Sequence, residues 1–513
     1  MMGDLEVILG SITITNVLTT VIVILLVYYL WPWFQDPLKD IPGPPVYPLW
    51  GSLLAVDHKK GIGPSEIEIA KKYGKIFKLY EGRTPTVVIG DVHKLRKAMI
   101  KEFNNFTSRR PLPFRGVFKH SLFDAGGDEW RRQRHLMTPS FTTGKLKRMQ
   151  TMIQKCVDRC CDNIGKMADS REDIDTKTYT GMYTMDVIAS TAFGVDLDSQ
   201  ADPNNPFLVN AKMIFDINPR SIGVLATLFA PFLIPLLELF QVRTLPDAPT
   251  KFFARMMETM IKERKQNPNA FMDVLQLMVN SQDLANDEET RADLREQGQT
   301  TLDASRVKKG LSDEEILADA LLFFMAGYDT TANTLSFLIY QLSLNPAIQQ
   351  QLYGAVTTHM AGKSVSYETV WNIPYLDQCI NETLRIYPPA QRMDRESAED
   401  IDIDGLHIPA GTLVVAPIYA LHHDPDVWPE PDKFDPSRFS PEARAARDPL
   451  HFIPFGLGPR QCIGMRLALF EMKMLMVQLI QRFKFLPSEK PLVMDFGVLV
   501  KAKTGAWVKA ERR

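Results

Sequence analysis

Cysteine is scarce in this chain of 513 residues, which contains only five. Their number is odd and their spacing irregular: Cys156, Cys160, Cys161, Cys379 and Cys462. A disulfide framework uses an even, patterned set, so the count excludes one and indicates a reducing compartment. The close group at 156–161 would allow a metal cluster, but no partner cluster of Cys or His follows it. We therefore interpret these three as packing residues of a helix.

Charge is absent from residues 7–34, which contain no Asp, Glu, Lys or Arg. About 20 apolar residues suffice to span a bilayer as a helix, and Trp31 and Trp33 close the run as interface anchors do. A cleaved signal peptide is the alternative, but it starts basic and has a shorter apolar core. We predict an uncleaved anchor in residues 1–36. The lysines that follow it favour a single pass with the body in the cytosol.

Flexibility is also restricted after this segment, because residues 37–50 are rich in proline. Prolines stiffen a linker, so we predict a hinge that sets the distance between body and membrane. A second run, Ile222–Leu237, also lacks charge but is broken by Pro231 and Pro235. It can dip into the bilayer interface or belong to the core. Membrane lipid is thus an expected partner.

No strong charge imbalance is present, since the net charge is −2. A polyanion partner is therefore not indicated, and we expect no nucleic acid binding. The body contains no linker that would divide it, so we predict one domain over residues 51–513. Strands are predicted at 75–80 and 86–89, and again at 401–405 and 412–416 around an Asp-Gly turn. The long stretch 130–361 has a helical pattern, interrupted by a polar loop at 283–309. The fold class is mainly α with a small β region.

The most informative segment reads Phe455-Gly-Leu-Gly-Pro-Arg-Gln-Cys-Ile-Gly464 and leads directly into an apolar helical stretch. A cysteine at the start of a helix has its thiolate stabilised by the free N–H groups there. The glycines let the backbone lie against a flat ligand. Arg460 can hold an anionic group. Cys462 is therefore predicted to be a thiolate ligand for a metal, with haem iron the leading choice.

The spacing of Phe455, Arg460, Cys462 and Gly464 resembles the cysteine-ligand loop of the cytochrome P-450 superfamily, the haem-thiolate monooxygenases. The resemblance covers essentially the whole chain and implies the cytochrome P-450 fold with an N-terminal transmembrane helix. It also implies haem b, with Cys462 as axial ligand and Phe455 and Gly464 at the cofactor. The proline-rich hinge is similar to that of microsomal members. Three segments most resemble the third family and its clan: Phe106–Pro111, Ser140–Lys145 and Ala326–Thr331.

A long helix is predicted from the capping-box pattern Ser312-Asp-Glu-Glu to Asn345-Pro346, where proline ends it. Its centre, Ala326-Gly-Tyr-Asp-Thr-Thr331, contains poor helix formers, which favours a functional role. Ala326 and Gly327 would leave room for a ligand. This stretch resembles the family's acid–alcohol motif, which implies that Asp329 and Thr330 deliver protons during dioxygen cleavage. A helix kink with core threonines is the alternative for the isolated hexapeptide.

Two further motifs concern the haem edges and the fold around them. Trp130 and Arg134 resemble the family's Trp-x-x-x-Arg motif, which contacts the haem propionates. Arg109, Arg395 and Arg460 match other propionate contacts, although Arg109 and Arg395 could equally be solvated. Glu382 and Arg385 resemble the Glu-x-x-Arg motif, and Arg438 matches the arginine that meets it. We assign those three a structural role.

The resemblance also implies a substrate pocket lined by Phe324, Met325, Ala326, Thr330, Ala390 and Met393. Close relatives have a glutamate where this chain has Asp329, and both side chains can relay a proton. Met325 stands where that group usually has an aromatic residue. Pocket shape and substrate preference therefore stay open.

The predicted function is a membrane-bound monooxygenase that inserts one oxygen atom from dioxygen into an apolar small molecule, such as a steroid, fatty acid or xenobiotic. The chain has no flavin or nicotinamide fingerprint, so NADPH would act only through a flavoprotein reductase, with a small haem protein as another electron donor. The expected location is the endoplasmic reticulum membrane. An oxygen-independent isomerase or dehydratase on the same fold, or a non-catalytic haem protein, are the alternatives.

A basic docking face for the reductase is predicted from cationic side chains that could lie near the thiolate. Scattered solvated charge is the alternative. The residues are Arg131, Arg132, Lys145, Lys147, Arg148 and Lys473.

Overall fold

The computed structural model describes residues 14–34, 36–110, 116–202, 204–214, 226, 233–240, 242, 246–267, 271, 273–282 and 310–513. The predicted polar loop at 283–309 and most of the apolar run at 222–237 lie outside these residues. Helices dominate the described chain, and the few short strands form small sheets, some of which pack against the helical core. This agrees with the predicted fold class.

The helices of the described residues range from one turn to more than thirty residues in length. In chain order they are α1 (Ile14–Phe34), α2 (Ile62–Tyr73), α3 (Val92–Arg96), α4 (Gly127–Met137), α5 (Thr143–Ser170), α6 (Thr176–Phe193), α7 (Pro206–Ile214), α8 (Ile234–Leu239), α9 (Asp247–Gln266), α10 (Val274–Asn280), α11 (Asp313–Leu344), α12 (Pro346–Met360), α13 (Tyr367–Trp371), α14 (Pro374–Ile386), α15 (Ile418–His422), α16 (Pro441–Ala445) and α17 (Met465–Arg482).

The strands are short and form one four-stranded sheet, one three-stranded sheet and two hairpins among the described residues. The larger sheet has the order β1-β2-β7-β4, in which β2 and β7 are parallel and the other pairs are antiparallel. The strands are β1 (Ile76–Glu81), β2 (Thr84–Ile89), β3 (Ile174–Asp175), β4 (Met393–Glu396), β5 (Ile401–Ile403), β6 (Leu406–Ile408), β7 (Leu413–Ala416), β8 (Phe483–Pro487), β9 (Met494–Phe496), β10 (Val500–Ala502) and β11 (Trp507–Arg512).

One predicted strand pairing is wrong. The sequence suggested that 401–405 and 412–416 are neighbouring strands around an Asp-Gly turn. The turn at Asp404-Gly405 instead joins β5 to β6, and β7 pairs with β2 and β4 in the other sheet. Both turn residues have positive φ, 52° at Asp404 and 81° at Gly405, as a tight hairpin requires. The turn therefore closes a shorter hairpin than expected.

The long helix α11 begins at Asp313, as predicted, and ends at Leu344 before Pro346. Its capping box is complete: the N–H of Glu315 donates to Ser312 Oγ, and the N–H of Ser312 donates to Glu315 Oε2 at 2.7 Å. Most of its side chains are buried on all faces. A helix buried in this way belongs to the centre of the core.

Helix α6 is attached to α11 by a ladder of threonine hydroxyls. Thr180 Oγ1 donates to the carbonyl of Ala332 and Thr184 Oγ1 donates to that of Tyr328, both at 2.9 Å. The spacing of four residues on both helices keeps these contacts on one face of each. The ladder therefore fixes the rotation of α11 about its axis.

Gly327 has a different role from the predicted one. A Cβ atom at this position would lie 2.8 Å from Ile188 Cδ1 on α6. The missing side chain thus admits Ile188 and lets the two helices approach, and it does not make room for a ligand.

Glu382, Arg385 and Arg438 lie together in the interior. Arg385 Nε donates to Glu382 Oε2 at 2.7 Å, and both side chains are fully buried. Arg438 Nε lies 3.4 Å from Glu382 Oε1. Arg385 also donates to the carbonyls of His422 and Pro431. Because these contacts join α14 to the chain leading toward the cysteine loop, they fix the geometry of that loop's base.

The segment after α1 is docked on the body of the protein. Tyr80 Oη donates to Asp36 Oδ1 at 2.6 Å, and Lys78 forms an ion pair with the same carboxylate. Among the residues that the structure describes, no helix combines the length and apolar character needed to cross a membrane. The division into 1–36, 37–50 and 51–513 stays a prediction.

The closely spaced cysteines are packing residues, as predicted. Cys156, Cys160 and Cys161 are buried on α5. Burial raises the pKa of Cys161 to about 12. These thiols therefore stay protonated at neutral pH.

Gly327→Ala should lower the free energy of unfolding by about 1–3 kcal/mol, since the new methyl group overpacks the α6–α11 contact. Adding Ile188→Val removes the Cδ1 atom that the methyl group would meet and should recover most of that loss. Urea unfolding of the two variants measures this. An equal loss in the double variant would contradict the steric explanation.

Glu382→Gln should lower the free energy of unfolding by about 3–5 kcal/mol, because it leaves the Arg385 cation buried without a carboxylate. Glu68→Gln is the matched control. Glu68 also pairs at i,i+3, with Lys71, but on the surface, where such pairs contribute little. Equal losses in urea unfolding for both variants would show that burial of the Glu382 pair has no special effect.

Candidate active site

The cysteine loop is shaped by glycines with positive φ. Gly456 and Gly458 have φ of 76° and 69°, and a Cβ on Gly458 would lie 2.5 Å from the carbonyl oxygen of Met99. The N–H of Cys462 donates to the carbonyl of Phe455 at 2.8 Å, which closes the loop. Helix α17 begins three residues later, with Gly464 as its N-cap. The loop therefore presents Cys462 at a helix N-terminus, as the sequence predicted.

The Cys462 side chain is accessible although protein surrounds it. It is the only exposed cysteine of the five, and desolvation by that protein raises the pKa of its thiol. The N–H groups of Gly464 and Met465 and the cations Arg134 and Arg109 oppose this and favour the thiolate. An accessible sulfur inside the molecule faces an interior space. A metal bound there would deprotonate the thiol outright.

Four arginines form a cationic cluster beside this sulfur. Arg134, Arg395 and Arg460 are 2–7% exposed, and Arg109 stacks over the Phe123 ring at 4.3 Å. The Nε atoms of Arg109, Arg134 and Arg460 are buried and have no hydrogen-bond partner within the described chain. Arg460 Nη1 donates to the carbonyl of Phe123 at 3.3 Å. The Arg460 guanidinium also lies over the Trp130 ring, 4.9 Å from its centroid. The predicted propionate contacts thus lie close together.

The carboxylates of Asp124 and Asp394 act on this cluster of four arginines, so the protein balances only part of its charge. Burial and repulsion from Arg109 and Arg134 lower the pKa of Arg460 to about 9, and burial lowers the pKa of Arg134 to about 10. Burial followed by repulsion from Arg109 and Arg460 lowers the pKa of Arg395 strongly. The nearby carboxylate of Asp394 also lies 3.4 Å from Arg110. Buried cations need compensation, so this cluster fits a ligand with two carboxylates, as haem has.

The centre of α11 carries an accessible face. Ala326 is exposed, and Met325 and Thr330 are half-buried, in a helix whose other residues nearby are mostly buried. Ala326 and Thr330 are four residues apart and share a face. Thr330 Oγ1 donates to the Ala326 carbonyl at 2.7 Å, which leaves its lone pairs free to accept a proton. This face can contact a ligand.

Asp329 lies on a different side of α11. It is buried, and its Oδ1 accepts a hydrogen bond from Lys177 Nζ at 2.6 Å. Lys177 also donates to Asn333 Oδ1. The structure therefore places the predicted acid against α6 and the predicted alcohol on the accessible face.

The remaining pocket candidates have different surroundings. The Phe324 ring is buried between Phe193 and Phe253, with ring centroids at 6.2 and 4.5 Å. Ala390 is half-buried, and Met393 Sδ would be 3.4 Å from a Cβ on Gly456. Met393 therefore borders the cysteine loop, and Phe324 packs within the helical core.

Sequence reasoning missed two polar residues near the site. Lys177 gave no signal, because it lies on α6, far in sequence from Asp329. Glu471 on α17 is buried, and burial raises its pKa to about 8, with a hydrogen bond from Thr331 opposing this rise. A lone glutamate within the apolar run 467–480 was a signal for a buried carboxyl.

The predicted basic docking face is wrong in part. Lys473 is fully buried, and its Nζ lies 2.6 Å from Asp377 Oδ1. Arg132 is largely buried in an ion pair with Glu315. Arg148 and Lys147 are exposed, although Lys147 pairs with Glu368. The error arises because α17 is buried on all sides, which the charge pattern does not reveal.

Comparison with known proteins agrees with this geometry. The family model described as Cytochrome P450 matches residues 41–508. Cytochrome P450 3A7 of Homo sapiens is 38% identical over 479 residues, covering 92% of this chain and 91% of that protein. Cytochrome P450 3A29 of Sus scrofa is 36% identical over 492 residues, covering 95% and 93%. Cytochrome P450 3A2 of Rattus norvegicus is 36% identical over 487 residues, covering 94% and 93%. The chain therefore belongs to the cytochrome P450 family, and it is a haem-thiolate monooxygenase.

Proposed function

We propose that Cys462 is the axial ligand of haem b and that the protein inserts one oxygen atom from dioxygen into an apolar small molecule. Bound haem would supply the activation of dioxygen, and its thiolate ligand favours cleavage of the O–O bond. The observation that carries this proposal is the accessible Cys462 sulfur beside a buried arginine cluster that has too few carboxylates. A thiolate can ligate haem iron, and a cationic rim can hold its two propionates.

The arginine cluster would hold the propionates. Arg109, Arg134 and Arg460 have buried Nε donors without a partner, and Arg395 adds a fourth positive charge, as two carboxylates need. The buried Trp130 ring supports Arg460 from one side. Phe455 and Gly464 would lie against the macrocycle, since they flank Cys462 in the loop.

Asp329 and Thr330 would handle protons. The Thr330 hydroxyl lies on the accessible face and can pass a proton into the site. Asp329, one residue earlier, would supply it from the α6 side. The two side chains face different sides of α11 because consecutive residues of a helix are rotated by about 100°.

The substrate would be a steroid, a fatty acid or a xenobiotic. Met325 and Ala326 give the accessible surface an apolar character, and Thr330 adds one hydroxyl. Ala390 and the buried Met393 would complete the proposed pocket, whereas Phe324 packs within the helical core. Few polar contacts favour broad apolar specificity.

Family membership implies a redox partner, and we propose an NADPH-dependent flavoprotein reductase, with a small haem protein as a second donor. The helix Ile14–Phe34 would anchor the enzyme in the endoplasmic reticulum membrane with the body in the cytosol. Its described side chains include many exposed apolar ones, such as Leu18, Ile22 and Ile24. Arg131, Lys145, Lys147 and Arg148 are the remaining candidates for a docking face.

Reconstitution with a flavoprotein reductase in vesicles tests the function. A panel of steroids, fatty acids and drug-like amines should give a hydroxylated product that requires both NADPH and dioxygen. Labelled dioxygen should place one atom in the product. Full turnover without NADPH and dioxygen would support an isomerase instead.

Thr330→Ala should lower the product formed per NADPH on the order of tenfold, with hydrogen peroxide accounting for the lost reducing equivalents. The substitution removes the γ-methyl group as well as the hydroxyl, so a serine variant is needed to isolate the effect of the hydroxyl. Thr330→Ser keeps the hydroxyl and should stay close to the wild type. Measured coupling that is the same in the alanine variant would exclude the relay role.

Arg395→Met should accelerate haem loss on the order of tenfold, as expected when one charge-assisted hydrogen bond is removed. Transfer of haem to an excess of a haem-free acceptor protein measures the rate. Arg395→Lys keeps the positive charge and should show a smaller increase. Unchanged haem loss in the methionine variant would remove Arg395 from the propionate site.

A further inference from the structure

The Asp329 carboxylate is held by a lysine of the neighbouring helix. Lys177 Nζ lies 2.6 Å from Asp329 Oδ1, and the two side chains are 20% and 8% exposed. Asn333, one turn later on α11, accepts from the same ammonium group and donates to the Asp329 carbonyl at 2.7 Å. The carboxylate thus has one close cation and a fixed direction.

The position of this lysine is set by contacts along α6. The N–H of Lys177 donates to Asp175 Oδ1, which caps the helix. The hydroxyls of Thr180 and Thr184 fix α6 against the α11 carbonyls. Lys177 therefore meets α11 beside Asp329 and Asn333, which are one helical turn apart.

The electrostatic setting makes each partner depend on the other. Burial lowers the pKa of Lys177, and the Asp329 carboxylate opposes this most strongly. Lys501 on β10 lowers the pKa of Lys177 further, and Asp175 raises it. Lys177 is the described cation that contacts this carboxylate.

We propose that Lys177 is a positioning residue for the proton relay: its ammonium group fixes the direction of the Asp329 side chain. A carboxylate held in this direction can accept a proton from the solvent side and release it toward Thr330. A carboxylate without this anchor would lose the direction. This inference rests on the function proposed above for the same site.

The variants separate positioning from packing. Lys177→Met removes the charge and keeps a chain of similar length, and Lys177→Arg restores a cation. Lys501→Met is the matched control, because it removes a nearby lysine that pairs with Asp495 at 3.7 Å instead of Asp329. Lys177→Gln also removes the charge and replaces the methionine variant in these measurements if that variant fails to fold. All are made in the full-length enzyme loaded with haem.

Coupling is the first measurement. Lys177→Met should form about tenfold less product per NADPH. The loss should be smaller than the roughly 10²- to 10⁴-fold contribution of acid–base catalysis, because the variant keeps Asp329 and Thr330. The spectral dissociation constant of the substrate should stay the same. Lys177→Arg should recover most of the coupling, and Lys501→Met should match the wild type. In an Asp329→Asn background, Lys177→Met should cause no further loss.

Infrared spectroscopy is the second measurement and does not depend on turnover. The difference spectrum between the wild type and Asp329→Asn should contain the carboxylate bands of Asp329. The corresponding difference between Lys177→Met and the Lys177→Met/Asp329→Asn double variant should contain these bands at shifted frequencies, because the hydrogen bond from the ammonium group is lost.

The outcomes are distinct. Full coupling in Lys177→Met, no recovery in Lys177→Arg, a further loss in the Asp329→Asn background, or carboxylate bands at unchanged frequencies would each overturn the proposal. A wild-type enzyme that forms no NADPH-dependent product would instead refute the proposed function. The infrared result would still decide what Lys177 does to Asp329 in that case.

Discussion

The structure depends on how it compensates charge around Cys462. The sulfur lies inside the protein, where burial raises the pKa of the thiol, and two N–H groups at the start of α17 together with Arg134 and Arg109 oppose that effect. The same arginines belong to a cluster that lacks sufficient carboxylates. A dianionic cofactor with a central cation would satisfy both requirements at once. The loop, the start of α17 and the segment around Phe123 are all arranged around this need.

On the opposite side of the site, contacts between α6 and α11 determine which side chains of α11 face the accessible surface. Thr180 and Thr184 fix the rotation of α11, and Gly327 lets Ile188 approach. With that rotation, Ala326 and Thr330 face the accessible side, and Asp329 faces Lys177. The acid and the alcohol therefore reach the site from two directions, although they are adjacent in sequence. The buried Glu382–Arg385 pair stabilises the framework on which the cysteine loop rests.

Local signals in the sequence were sufficient for much of this arrangement. The capping box at Ser312 and the glycines around Cys462 act through neighbouring residues, so their structures could be predicted. The pairing of β7 could not, because its partners come from distant segments, and the Asp404-Gly405 turn closes a shorter hairpin. Lys473 was misjudged because charge alone does not show that a helix is buried on every face. The role of Gly327 and the partner of Asp329 depend on α6, whose position no local pattern specifies.

The ligand identity of Cys462 is the central claim, and the carbonyl difference spectrum of the reduced protein tests it most directly. The wild type should show the Soret band characteristic of thiolate ligation. Cys462→Ser should lose that band, whereas Cys156→Ser, which alters a thiol buried on α5, should retain it. A thiolate band that survives in Cys462→Ser would contradict the account and place the iron on another residue.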